Sequence, residues 1–233
     1  MERNGLLGVT MGIDVTYVNH MGGDISVVNA ARVSFGKQSS YEVYKDESGF
    51  NQYRLDSKDT KLVNYLAKHK HMSPFGHAFA SFHVKAPLFV ARQLVKHKFL
   101  RWNEISKRYH DGEPEFYVPD VWRGRSADKK QGSEGVIEDI RPSVARNMVE
   151  DCRQNYNYLL AKGVCPEQAR MVLPQNMMTE WYWSGSLDAF ADMCHLRCKP
   201  DTQAETREVA ELVEDQMMNL FPVSWEALRM YAE

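Results

Sequence analysis

Apolar and polar positions along the chain switch between two periods, and the switches mark out its elements. From Ala78 to Val84 the alternation is by two, with Ala80, Phe82 and Val84 on one face, which predicts a strand. Leu6 to Val18, carrying Val9, Ile13, Val15, Tyr17 and Val18, and the aromatic-rich run Gln175 to Trp183 predict two more. Helical spacing takes over elsewhere. Asp24 is placed to cap a helix through Val27, Val28, Ala31 and Val33, and Asp56 or Ser57 opens one whose Leu62, Tyr65 and Leu66 share a face. Pro87 suits the first position of a helix over Leu88 to Lys98, with Leu88, Ala91 and Val95 on its apolar side. Pro142 begins a long helix with Val144, Met148, Cys152 and Tyr156 in an i, i+4 row, and Pro166 opens a short one that Pro174 stops. Helices through Leu187, Phe190, Met193 and Leu196, and then through Val209, Leu212, Val213, Met217 and Leu220, follow.

Between these elements Ser73-Pro74-Phe75-Gly76-His77 reads as a turn, because the residue before a proline is pushed out of the helical region. Ser39 to Asn51 and residues 122–139 read as polar loops, the second of them mobile. With no repeat and no low-complexity tract, the pattern predicts one α+β domain over residues 1–233.

Composition narrows the class. The 233 residues are 43% hydrophobic and 26% charged, as in an ordinary globular protein able to bury a full core. A formal net charge of −2 argues against wholesale coating of nucleic acid. Neither a secretory signal nor an apolar run long enough for a bilayer is visible, so the expectation is a soluble, cytoplasmic protein. Cys194 and Cys198 flank His195, but Cys152 and Cys165 form no second close pair, so no zinc site is expected there. The spacings of His69, His71, His77 and His83 fit no common metal site either.

The chemistry concentrates in Lys96 to Tyr109, KHKFLRWNEISKRY. Cations, amide, carboxylate and hydroxyl crowd together there, which suits a ligand that is anionic at one end and hydrogen-bonding at the other, as a nucleotide is. On a continuous helix Gln93, Lys96 and His97 span roughly 100° of arc and converge on one ligand. If the chain then extends, Trp102, Glu104, Ser106 and Arg108 share a face. Phosphate loops, dinucleotide glycine fingerprints, nucleophile elbows and H-E-x-x-H are all absent.

The same stretch resembles the signature of the flavin-dependent thymidylate synthases, usually R-H-R, a short spacer, then S-x-N-E-x-S-x-R-Y. Asn103 to Tyr109, NEISKRY, fits without a gap, and His97 is central in the triplet. His71 to His77 (HMSPFGH), Phe82 to Gln93, Ala169 to Pro174 (ARMVLP) and Leu196-Arg197 resemble further blocks of that family, in order and spacing. The resemblance implies a mixed α/β domain with a central antiparallel sheet, assembled as a homotetramer with shared active sites. It implies reductive methylation of dUMP to dTMP, with methylenetetrahydrofolate as carbon donor, FAD as hydride carrier and NADPH as reductant. Carried over by position, Gln93, Lys96, Glu104, Ser106, Lys107, Arg108, Arg170 and Arg197 meet dUMP. Ser73, Lys96, His97, Lys98 and Glu104 meet FAD, and His71 and Tyr109 lie on the folate side. Arg197 is the cation expected to polarise the uracil ring, and Ser106 a positioning hydroxyl. No metal is implied.

The chain also departs from that pattern. Lys96-His97-Lys98 replaces two planar forks by point charges, Arg101 stands for a serine and Gly76 for a glutamate. Ser186, Asp188 and Asp192 fall where asparagine and arginine usually meet the flavin. The pattern therefore reads as intact dUMP recognition with altered flavin recognition. Its rivals are a diverged relative making a 5-hydroxymethyl nucleotide, or binding dUMP without catalysis. A single-stranded nucleic-acid module using Trp102, Trp122, Arg123 and Arg125 is the rival from another class.

Overall fold

The structure, a computed structural model, describes residues 12–127 and 132–232. In chain order it builds β1 (Asp14–Met21), α1 (Asp24–Arg32), β2 (Glu42–Lys45), β3 (Asn51–Arg54), α2 (Ser57–Lys68), β4 (Phe79–Pro87), α3 (Leu88–Leu94) and β5 (Arg101–Glu104). Then come β6 (Trp122–Arg125), β7 (Ser133–Ile137), α4 (Pro142–Ala161), α5 (Pro166–Ala169), β8 (Met178–Ser186), α6 (Leu187–Arg197), α7 (Ala204–Leu220) and α8 (Pro222–Met230). Of the first predicted strand, residues 6–11 lie outside the described residues.

A four-stranded antiparallel sheet in the order β1-β4-β8-β5 lies at the centre. β4 earns its inner place through the alternation that predicted it: Ala80, Phe82, Val84 and Ala86 are all buried. It pairs with β8 from Phe79 opposite Ser186 to Pro87 opposite Met178. Phe82 and Trp183 both meet the Phe190 ring edge-on, at centroid distances of 5.3 and 5.4 Å, and these contacts seat α6 on the sheet. α3 and α7 pack on the strands and on each other, while α2 lies against α8. A smaller cluster of Phe116, Val149 and Met177 holds α4.

Several expectations change in the folded chain. Asp24 does not cap its own helix, whose N-cap is Gly23. Its buried carboxylate instead accepts the N–H groups of Val223 at 3.0 Å and Ser224 at 2.8 Å, capping α8, which the apolar pattern does not announce. Asp56 does cap α2, accepting the Asp59 N–H, yet Tyr65 is exposed and Val63, Leu66 and Ala67 form the buried face. Residues 39–51 are not simply a loop: β2 and β3 form an antiparallel hairpin closed by Asp46 and by Gly49 in the left-handed region. Residues 122–139 likewise contain the β6–β7 ribbon.

α3 stops at Leu94, with Pro87 still in the sheet as its N-cap. Val95 is therefore exposed, and Val90, Ala91 and Leu94 carry the burial. On α4 Tyr156 of the predicted row is buried and Cys152 half-buried, but nearer the start of the helix the buried positions are Ala145 and Val149, one position round from Val144 and Met148, which are exposed. Cys194 is buried and gives its S–H to the Ala210 carbonyl. Among the described residues no helix is long and apolar enough to cross a membrane.

Candidate active site

β5 adds the fourth strand to the sheet, Trp102 opposite Trp183 and Glu104 opposite Trp181. Trp102 and Glu104 share a face, as the period of two requires, and the Trp102 Nε1–H donates to Glu104 Oε2 at 3.1 Å. The other carboxylate oxygen, Oε1, accepts the Thr179 hydroxyl at 2.7 Å. Beyond Glu104 the extension ends, against expectation. The Ser106 carbonyl accepts the N–H groups of Tyr109 and His110, and its hydroxyl accepts the Arg108 N–H, so Ser106 heads a tight turn. The Ile105 N–H still donates to the Glu180 carbonyl of β8, and from Ser106 onward the local hydrogen bonds of a serine replace strand pairing.

The turn opens onto a cavity of about 660 Å³ lined by Glu104, Ser106, Lys107 and Arg170. Lys85, Arg92, Glu115, Glu167 and Glu180 add charge to the same wall. Lys107 reaches back to the Gly112 carbonyl at 2.6 Å, and burial lowers its pKa. Arg108 is held by Glu167, whose Oε2 accepts from Nε at 3.2 Å and Nη2 at 3.0 Å, and this pairing raises the guanidinium pKa. Arg170 Nε–H donates to the Glu167 carbonyl at 3.3 Å. The short α5 thus presents one carboxylate and one cation at the cavity mouth, because Pro166 starts it and Arg170 continues into a 3-10 turn.

A second cluster forms around the C-terminal end of α6. Arg197 Nε–H donates to His97 Nε2 at 3.0 Å. That bond needs a neutral imidazole, and burial together with the Arg197 charge lowers the His97 pKa to about 4. The amide of Gln93, on α3, donates to Gln203, the N-cap of α7. Lys96 and Lys98 are exposed on the segment after α3, where Phe99 takes a left-handed backbone conformation. Gln93, His97 and Arg197 do not line the first cavity.

Within one chain the expected residues therefore fall into two groups. Glu104, Ser106, Lys107, Arg108 and Arg170 gather at the cavity and His97 meets Arg197 at the end of α6, while Gln93 is bonded to Gln203 at the start of α7. Ser73, His71 and Tyr109 are exposed and line neither. Thr179, Glu167 and Gln203 escape sequence reasoning. Glu167 lies three residues from Arg170, but Thr179 and Gln203 reach their partners only across the sheet and between helices. Trp102 stacks on Trp181 at 4.3 Å, and Arg123 pairs with Glu205 at 2.5 Å, so two groups of the imagined nucleic-acid surface are already engaged.

The sequence profile of the family described as thymidylate synthase complementing protein matches residues 16–223. A flavin-dependent thymidylate synthase from Thermus thermophilus is 38% identical over 214 residues, covering 91% of this chain and 74% of that protein. One from Thermotoga neapolitana is 38% identical over 218 residues, covering 94% and 91%. The crystal structure of a UMP/dUMP methylase, PolB from Streptomyces cacaoi, bound with 5-Br dUMP, superposes with a TM-score of 0.82 at 29% identity, covering 97% and 98% of the two chains. Fold, signature and kinship agree over nearly the whole length, and the chain belongs to the flavin-dependent thymidylate synthase family.

Proposed function

We propose that this chain is one domain that converts dUMP to dTMP, with methylenetetrahydrofolate as carbon donor, FAD as hydride carrier and NADPH as reductant. The observation that carries the site assignment is the gathering of Glu104, Ser106, Lys107 and Arg170 on one cavity, with Arg108 tethered through Glu167 at its edge. A phosphate suits Arg108 and Arg170 through bidentate hydrogen bonds, and acceptor and hydroxyl groups suit a base or sugar edge.

Carbon 5 of uracil becomes nucleophilic only as negative charge collects on the ring oxygens and nitrogen 3. Arg197 stabilises that charge, and His97 holds it in place without competing for it, since the imidazole is neutral. Ser106 positions and forms no covalent bond. Exposed Lys96 and Lys98 match the diphosphate of FAD, with His97 between them, while Ser73 and Glu104 offer hydroxyl and carboxylate. Asp188 carries a buried carboxylate oxygen with no partner among the described residues, an acceptor that suits a hydroxyl or N–H of the flavin and not its phosphates. FAD, when bound, supplies the redox chemistry.

The two groups of residues stand apart in one chain, which supports a homotetramer whose sites are completed between subunits, with His71 and Tyr109 on the folate side. The same reading places the enzyme in the cytoplasm. Incubation with FAD, NADPH, methylenetetrahydrofolate and dUMP, with products resolved by mass, tests it. A gain of one methylene unit that needs both flavin and reductant is expected. A hydroxymethyl product, or none despite dUMP binding, overturns the reaction assigned here.

A further inference from the structure

We infer that Thr179 and Trp102 are positioning residues of the nucleotide site, acting through Glu104. The inference rests on the reading of Glu104 as a dUMP contact. Glu104 ends a four-residue edge strand, where only β8 restrains the backbone. A glutamate has three side-chain torsions, and leaving them free costs entropy when a ligand binds.

Here both oxygens are held. Thr179 lies on inner strand β8 opposite Ala86, is 4% exposed, and has a β-branched side chain with few rotamers. Its hydroxyl donates to Oε1 at 2.7 Å. Trp102 donates its indole N–H to Oε2 at 3.1 Å, and its ring lies almost parallel to Trp181, tilted by 18°, with centroids 4.3 Å apart. Trp181 is buried beneath it, so the indole that aims the N–H has a rigid floor. The next residue is tied as well, because the Ile105 N–H donates to the Glu180 carbonyl at 2.9 Å.

A carboxylate has about four lone-pair positions, and these donors use one on each oxygen. What remains is a pair of fixed acceptors on the cavity wall. Such a wall rewards a ligand edge made of N–H or O–H donors and penalises one made of acceptors, which is selection for an imide or a sugar hydroxyl.

The test measures the dUMP dissociation constant by calorimetry on the FAD-loaded enzyme, alongside KM and kcat for each variant. Thr179→Val keeps the shape and loses the hydroxyl; it is expected to weaken dUMP about tenfold, while Thr179→Ser stays within about twofold of the parent. Trp102→Phe retains the stacking and loses only the N–H, and a rise in KM larger than the fall in kcat is expected. In an Glu104→Gln background, Thr179→Val should add little, because both changes act on one carboxylate. Equal losses for Thr179→Val and Thr179→Ser, or fully additive effects with Glu104→Gln, would show packing alone and overturn the inference. Weakened binding by Glu104→Gln with none by Thr179→Val or Trp102→Phe also overturns it, and leaves the site reading intact. Unchanged dUMP binding by Glu104→Gln removes Glu104 from the nucleotide site and overturns both.

Discussion

Arg197, the last residue of α6, donates its Nε–H to His97 Nε2 at 3.0 Å, and this bond joins the expected ring-polarising cation to the centre of the Lys-His-Lys triplet. The His97 pKa is lowered to about 4 by burial and by Arg197, so the bond persists through the neutral range. The unfolded chain protonates this histidine near its ordinary value of about 6.5 and the folded one only near 4. The unfolded state therefore binds more protons in that window. The contribution of His97 to stability is complete above the upper value and is lost as pH falls toward the lower one. An imidazole titration followed by NMR should show no protonation of His97 at pH 5.5, and a midpoint near 6.5 would refute the buried, neutral assignment.

Lysine in place of Arg197 keeps a positive charge but loses the planar fork and the Nε–H. If Arg197 holds charge on the uracil ring, Arg197→Lys should lower kcat by roughly a hundredfold with a small change in dUMP affinity. Single-turnover kinetics separate the two effects. A loss confined to affinity would make Arg197 a binding group only.

Glu167 occupies Arg108 where the phosphate of a nucleotide is expected to go. Both side chains are about half exposed, so the pair is weak and easily exchanged. Glu167→Gln should therefore tighten dUMP by about two- to fivefold, and the gain should shrink as salt is raised, since screening weakens the exposed pair. Weaker binding would mean that Glu167 positions Arg108 for the ligand.

Asp24 accepts two backbone N–H groups at the start of α8 and is 5% exposed. Asp24→Ala leaves both donors buried and removes a charge that favours the helix N-terminus, a loss of about 3 kcal/mol of stability. Denaturant unfolding should register it as a lower midpoint with an unchanged slope. A loss below about 1 kcal/mol would mean that water replaces the carboxylate.

Legibility differed from one part of the chain to another for physical reasons. The inner strand around Ala80, Phe82 and Val84 was plain because burial on a sheet face leaves a period of two in the residue types. The helix starts at Pro142, Pro166 and Asp56 were plain because a cap or a fixed φ acts locally. Helix faces were read one position off in the first half of α4, though not at Tyr156, and partly in α2, since exposed Met148 and Tyr65 are as apolar as buried Val149 and Leu66. The two ribbons, β2–β3 and β6–β7, were hidden because their residues are polar or exposed on both faces.

From residue types and their order alone came the α+β class, the signature segment and the inventory of groups suited to a nucleotide, since periodicity, turns and donor–acceptor chemistry are properties of the local chain. Folding alone settled which groups meet. It turned the chain at Ser106, aimed Asp24 at a helix that starts 198 residues later, brought Thr179 to Glu104 and His97 to Arg197, and left the latter pair off the cavity that gathers Glu104 and Arg170. Those contacts depend on strand register and on which helix faces are buried, and both are set by packing over the whole molecule.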